Sequence, residues 1–273
     1  MPTPDETPEP PQDSAPDPGA DAPTPFERWY SALEARHLAQ LTFPEVRRAL
    51  EALSAVYVER RDKLGRGADL DGAGKRAAFA LFYAPLHFAT AQLICEQLAL
   101  PALARSRVVD LGAGTGVVGA AAALACGGKV AIDAVDRSAW ALGEARWNWE
   151  HFGLDGRTRP GDLLRHRFAP EGALVTLGWT VNELDDAGRA SLFTSIDKWH
   201  RAGAAILVLE PIARRMSPWW DGWRESFALR GGTSREWRFP AELPERLRLL
   251  YKAAGMDHRE LTARSLFLPP AGA

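Results

Sequence analysis

The chain has 273 residues, 46% apolar and 25% charged, the proportions of an ordinary soluble globular protein. Its net charge of −2 hides an asymmetry: residues 1–24 carry six acids (Asp5, Glu6, Glu9, Asp13, Asp17, Asp21) and no Lys or Arg, which leaves the rest net basic. Two cysteines, Cys95 and Cys126, exclude a disulfide framework and a four-thiolate metal site within one chain, so no metal is expected, and a reducing cytoplasm is the expected setting.

Residues 1–24, rich in Pro, Asp, Glu, Ala and Thr, have almost nothing to bury and read as a disordered acidic tail. From Pro25 the apolar spacing becomes helical: "FERWYSALEARHLAQL" and "FPEVRRALEALSAVYVERRDKL" are two helices, and "GRGADLDGAGK" (65–75) is a loop. A third helical run, "RAAFALFYAPLHFATAQLICEQLAL", contains Pro85, which should kink or divide it. Residues 25–104 are therefore expected to form an all-helical extension. No run approaches the ~20 apolar residues of a membrane span, and no leader-like pattern opens the chain, so no membrane association is expected.

Residues 105–273 have a different texture. Strands are expected at 107–111, 130–136, 173–179 and 204–210, with a weaker one near 157–162. Helices such as "SAWALGEARWNWEHFG" and "DAGRASLFTSIDKWHRAG" fill the gaps, and such alternation implies a parallel sheet covered on both faces. Beyond Trp219 the pattern is irregular until "LPERLRLLYKAAG", a helix ending at Gly255, and "RELTARSLFL", a final strand.

"VVDLGAGTGVVGA" (108–120) joins the first strand to an alanine-rich helix through Gly112, Gly114 and Gly116, with Gly119 beyond. Gly114, Gly116 and Gly119 satisfy the dinucleotide fingerprint, so a nicotinamide or flavin enzyme is one reading. Asp110 argues for another: a carboxylate repels a pyrophosphate and welcomes a ligand bearing an ammonium group. Asp136 ends the next strand, where an acid can accept hydrogen bonds from both hydroxyls of a ribose. An adenosine ligand with a cationic amino-acid end fits both acids.

"VVDLGAGTG", "AVDRS" and "GD" (161–162) resemble the ordered motifs of class I S-adenosylmethionine-dependent methyltransferases. The resemblance implies a doubly wound, mostly parallel Rossmann-like α/β sheet and S-adenosyl-L-methionine as cofactor. It places Asp110, Gly112, Gly114 and Gly116 around the methionine part, Asp136 at the ribose and Asp162 opposite the adenine amino group, and counts Arg137 among the cofactor-binding residues. "ALSAVYVERR", "AFALFYAPLHFAT", "WTVNEL" and "ILVLEP" are similar in order to methyltransferase-like proteins of the small ribosomal subunit. That narrower likeness implies ribosomal RNA or the small subunit as partner, methylated or helped to mature. The chain departs from the family in lacking its four-cysteine metal site after the fifth strand.

Strand carboxyl ends carry the site in such sheets, so "GWTVNEL" nominates Asn182 and Glu183 to face the transferred methyl, Glu183 as base or as holder of a substrate donor. "NELDD" can equally start the next helix. Neither cysteine lies in the catalytic half, which argues against methylation of pyrimidine carbon 5. "SPWWDGW" with Arg214 and Arg215 could stack bases or simply pack, and His87 of "YAPLHF" could close over the cofactor or pack. Two rivals stand beside an RNA methyltransferase: one acting on a small molecule or protein, and a non-catalytic cofactor-binding assembly factor.

Overall fold

The computed structural model describes residues 22–59, 70–100, 106–255 and 259–271. The acidic tail through Asp21, and the stretch from Arg60 to Asp69 expected to finish one helix and open a loop, lie outside the described residues.

Two helices open the fold. Thr24 caps α1 (Pro25–His37) in a reciprocal box with Glu27, with Pro25 in the first turn, and α2 (Phe43–Glu59) follows. The third helical run is one continuous rod with a defect. It starts as α3 (Ala73–Ala78), widens to a π turn over Phe79–Tyr83 and continues as α4 (Ala84–Gln97). Pro85 supplies the reason: its ring cannot coexist with the α-helical carbonyl four residues back, so the preceding turn opens and the Ala84 amide donates to Phe79, five back. This 25-residue rod is long and apolar enough to cross a membrane, contrary to the expectation that no stretch is. Most of it is buried inside the protein, which accounts for its apolarity.

Among the described residues a single seven-stranded sheet follows, in the order β3-β2-β1-β4-β5-β7-β6. The strands are β1 (Arg107–Leu111), β2 (Ala131–Asp136), β3 (Gly156–Pro160), β4 (Ala173–Gly178), β5 (Ala205–Glu210), β6 (Thr233–Pro240) and β7 (Glu260–Leu268). β1 to β5 run parallel, and β7 turns back between β5 and β6. The crossover helices are α5 (Val117–Ala125), α6 (Ala139–His151) and α7 (Asp186–Arg201); α8 (Trp220–Ala228) and α9 (Glu245–Ala253) complete the second half. β1, β4, β5 and β7 bury nearly every residue, as a sheet covered on both faces requires.

The helical extension and the sheet do not have separate cores, although the sequence divides them at 104. Trp29 and Phe88 pack in the same buried cluster as Val108, Ala120 and Trp149. The join is also polar: Trp29 donates its indole N–H to Asn148 Oδ1 (2.9 Å), and Arg36 and His37 both reach Glu144 on α6. β6 and α8 are additions the sequence reading missed. β6 is an edge strand whose outward residues are charged, so it lacks the alternation that betrays a strand.

Candidate functional site

Chain direction across the sheet reverses between β1 and β4, and open α/β sheets bind ligands in the crevice at that switch. The glycine turn and "GWT" meet there. The Gly112 and Ala113 amides donate to the Val135 carbonyl at 2.9 and 3.1 Å, tying the turn to β2. On the other side Thr180 Oγ1 donates to the Gly112 carbonyl at 3.1 Å.

The three glycines serve different ends, all at positive φ. A Cβ on Gly112 would stand 2.3 Å from Thr180 Cγ2, and one on Gly116 would stand 2.6 Å from Ala145 and 2.8 Å from the Trp149 indole nitrogen. These two are sites of close packing. A Cβ on Gly114 would meet nothing within 4 Å, so this glycine alone of the three opens onto free space. Its amide donates to Asp136 Oδ2 at 2.8 Å, and the Ser138 amide donates to Oδ1 at 2.7 Å. Each Asp136 oxygen thus uses one lone pair and keeps another for an incoming hydroxyl. The open glycine and the half-satisfied carboxylate fit an adenosine-bearing ligand.

Asp110 does something other than the sequence suggests. It is buried, with Oδ2 accepting from the Gly119 amide (3.0 Å) and Oδ1 from Thr176 Oγ1 (2.8 Å). Burial pushes its carboxyl up to about 6 against the pull of those bonds. It braces β1 to α5 and β4 rather than presenting itself to an ammonium group. Arg137 and Asp162 are likewise committed, to each other, at 2.8 Å. Asp162 also caps the short helix Leu163–Arg165 through the Leu164 amide, and these bonds hold its carboxyl below the usual range even though burial opposes them.

Past β4, Trp179 adopts φ +54, a conformation large residues rarely accept, with its amide donating to the Leu209 carbonyl at 2.7 Å. Its ring lies flat on the His87 imidazole, centroids 3.8 Å apart and planes at 5°. His87, from α4, therefore reaches the strand ends, and burial holds its pKa well below the usual value, which keeps it neutral.

Asn182 and Glu183 lie in a single short turn, Val181–Glu183, but do not cap α7; Asp185 does, accepting from the Gly188 amide at 2.7 Å. Asn182 Oδ1 accepts from Ser217 Oγ (2.7 Å) and Trp219 Nε1 (2.9 Å), so its carbonyl is spent within the protein. Glu183 is exposed. Of the "SPWWDGW" tryptophans, Trp220 and Trp223 are core residues and only Trp219 reaches the site. Sequence reading missed Thr180, Trp179 and Glu210, whose carboxylate accepts from the Asn182 amide at 3.1 Å. An acid closing an all-apolar strand, "AILVLE", was the available signal for the last.

Residues 86–173 match the family described as the methyltransferase small domain. No curated protein matches the sequence significantly. Among solved structures, mitomycin 7-O-methyltransferase is 16% identical, covering 90% of this chain and 73% of its own, with a TM-score of 0.51. A Nostoc punctiforme protein assigned as an O-methyltransferase is also 16% identical over 85% of this chain and 71% of its own, again at 0.51. A Pyrococcus horikoshii protein assigned as an RNA methyltransferase is 14% identical, over 73% of this chain and 87% of its own, at 0.41. At such identities the structural likeness is one of fold. That fold, the Rossmann-like methyltransferase sheet, is the class in which the chain stands. The match to the methyltransferase small domain, over residues 86–173, lies within that fold and spans the glycine turn, β2 and β3.

Proposed function

We propose that the chain transfers the methyl group of S-adenosylmethionine to RNA, with the small ribosomal subunit as its source. The observation that carries this reading is the openness of the acceptor side. Glu183 is exposed rather than enclosed, Arg214 in the loop after β5 is 83% exposed, and the half-buried Trp179–His87 stack lies at the strand ends. A small acceptor needs a closed pocket; a base on a polymer needs a shelf, a stacking surface and nearby cations. Residues 137–167 add six arginines against four acids, one of which, Glu144, is buried. The described part of the helical extension does not contribute: residues 22–59 hold four arginines and five glutamates, and residues 70–100 hold Lys75 and Arg76 against Asp71 and Glu96.

In this reading the Gly112–Gly116 turn holds the methionine end and Asp136 the ribose. The bound cofactor supplies an electrophilic methyl group on its sulfonium. The protein's own work is alignment and exclusion of water, since direct displacement onto oxygen or nitrogen needs little covalent help. Glu183 accepts the acceptor's proton or holds one of its donors.

Tritiated cofactor incubated with small ribosomal subunits, free RNA, protein and small-molecule pools tests the assignment. Label that ribonuclease releases is the expected result. Label confined to a small molecule overturns it in favour of the first rival. Cofactor binding and subunit co-sedimentation without label overturn it in favour of a non-catalytic assembly factor.

A further inference from the structure

Glu210 ends β5 fully buried, and Arg264, its cross-strand partner on β7, is 3% exposed. The Arg264 guanidinium lies 4.0 Å from the Trp220 ring centroid. Four buried polar atoms gathered here, Asn182 Nδ2, Glu210 Oε2, and Arg264 Nε and Nη2, have no hydrogen-bond partner among the described residues. A carboxyl and a guanidinium in such surroundings are a poor way to gain stability, because well-packed apolar side chains do as well or better. They are a good way to aim something. Glu210 accepts from the Asn182 and Val181 amides, which fixes the turn after β4. Asn182 then gathers Ser217 and Trp219 from the loop after β5. The chain of bonds runs from a strand end through one loop into the next, and both loops border the acceptor side.

We infer that Glu210 is a positioning residue for methyl transfer: it locks the loops after β4 and β5 together through Asn182 and so sets the wall against which the acceptor is aligned. This rests on the methyltransferase reading and not on RNA as acceptor. Glu183, at the mouth, and Arg264, on β7, are the charged groups that act on Glu210, and burial pushes its carboxyl up to about 8. The neutral, hydrogen-bonding form is thus the working one near neutral pH.

Glu210→Ala and Glu210→Gln test it, read by hydrogen exchange, cofactor calorimetry and steady-state methyl transfer. For the alanine variant, exchange should rise about tenfold in 179–184 and 211–220 alone, the scale of one lost hydrogen bond. Its cofactor affinity should stay within about threefold, while kcat falls about tenfold or more, the consequence of a misaligned acceptor. Glutamine, which keeps the accepting oxygen and the neutral charge, should restore all three. Unchanged exchange in the two loops, exchange raised evenly over the chain, or equal damage from Ala and Gln would overturn the inference. If Glu210→Ala does not fold, Asn182→Ala must loosen 211–220 while sparing β5; failure to do so counts against it equally. A parent enzyme with no turnover on RNA would defeat the RNA reading while leaving the exchange pattern to decide this one.

Discussion

The two halves of the strand-end crevice are built on opposite plans. On the β1–β2 side every group has a partner within the protein: Asp110 at both oxygens, the Gly112, Ala113 and Gly114 amides, and Asp136 with one bond to each oxygen. On the β4–β5 side, Asn182 Nδ2 and Glu210 Oε2 have none, Trp179 is held at an unusual φ, and Glu183 faces solvent. In the proposed reading the cofactor meets a turn already held in place, with one lone pair on each Asp136 oxygen left for the ribose. The unpaired atoms on the acceptor side are buried, so they belong to the support of the loops and not to a surface that an incoming partner reaches.

The glycine turn gives the comparison its strongest test. Gly116→Val puts a branched side chain 2.6 Å from Ala145 at φ +71, so overpacking and backbone strain combine and at least ~3 kcal/mol of stability should be lost. At Gly114 an added Cβ meets nothing within 4 Å, so the main cost of Gly114→Val is the left-handed backbone, ~1–2 kcal/mol. The second variant should therefore fold yet fail to bind S-adenosylmethionine, because its side chain stands where the ligand goes. Thermal melting beside calorimetry separates the two; binding retained by Gly114→Val would show that the opening is not the cofactor's.

Next in size, Asp136→Ala should weaken cofactor binding by ~1–3 kcal/mol, the range for hydrogen bonds to a charged acceptor. Calorimetry giving parent affinity would remove the ribose from Asp136. The pH response sharpens the other half. The folded-state pKa of Glu210, about 8, lies above its unfolded value of 4.5. The folded protein therefore holds that proton more tightly. This contribution is complete below pH 4.5 and is lost as pH rises through about 8. Asp110 acts in the same sense up to about pH 6, while His87, with a lowered pKa, acts oppositely below 6.5. Between pH 6.5 and 8.5 the fall in stability against urea belongs mainly to Glu210, and Glu210→Gln should flatten it. An equal fall in both proteins would place the titration elsewhere.

What the sequence reveals follows the same divide. Apolar runs broken by glycine gave β1, β2, β4 and β5 to within a residue or so, because a doubly covered strand must be continuously apolar. The glycine turn was legible because backbone geometry demands glycine wherever it occurs. Which glycine is open and which is packed was not, since Thr180, Ala145 and Trp149 come from distant parts of the chain. Asp110 was misread for that reason: its donors, the Gly119 amide and Thr176, are a helix turn and a neighbouring strand away. β6 stayed hidden because an edge strand with "SRE" outward looks like a loop.

The smallest effect bears on "NELDD", where capping and function competed in one string. Asp185 is the cap, so Asp185→Ala should cost about 1 kcal/mol, the usual loss for a helix N-cap, with cofactor binding unaltered. Asn182→Ala removes no cap. It frees Ser217 Oγ and the Trp219 indole N–H, which leaves polar groups unpaired on the acceptor wall rather than fraying α7. Hydrogen exchange should therefore rise in the first turn of α7 for Asp185→Ala and across 211–220 for Asn182→Ala. If both variants instead fray α7, Asn182 belongs to the helix start and the acceptor half loses its central strut.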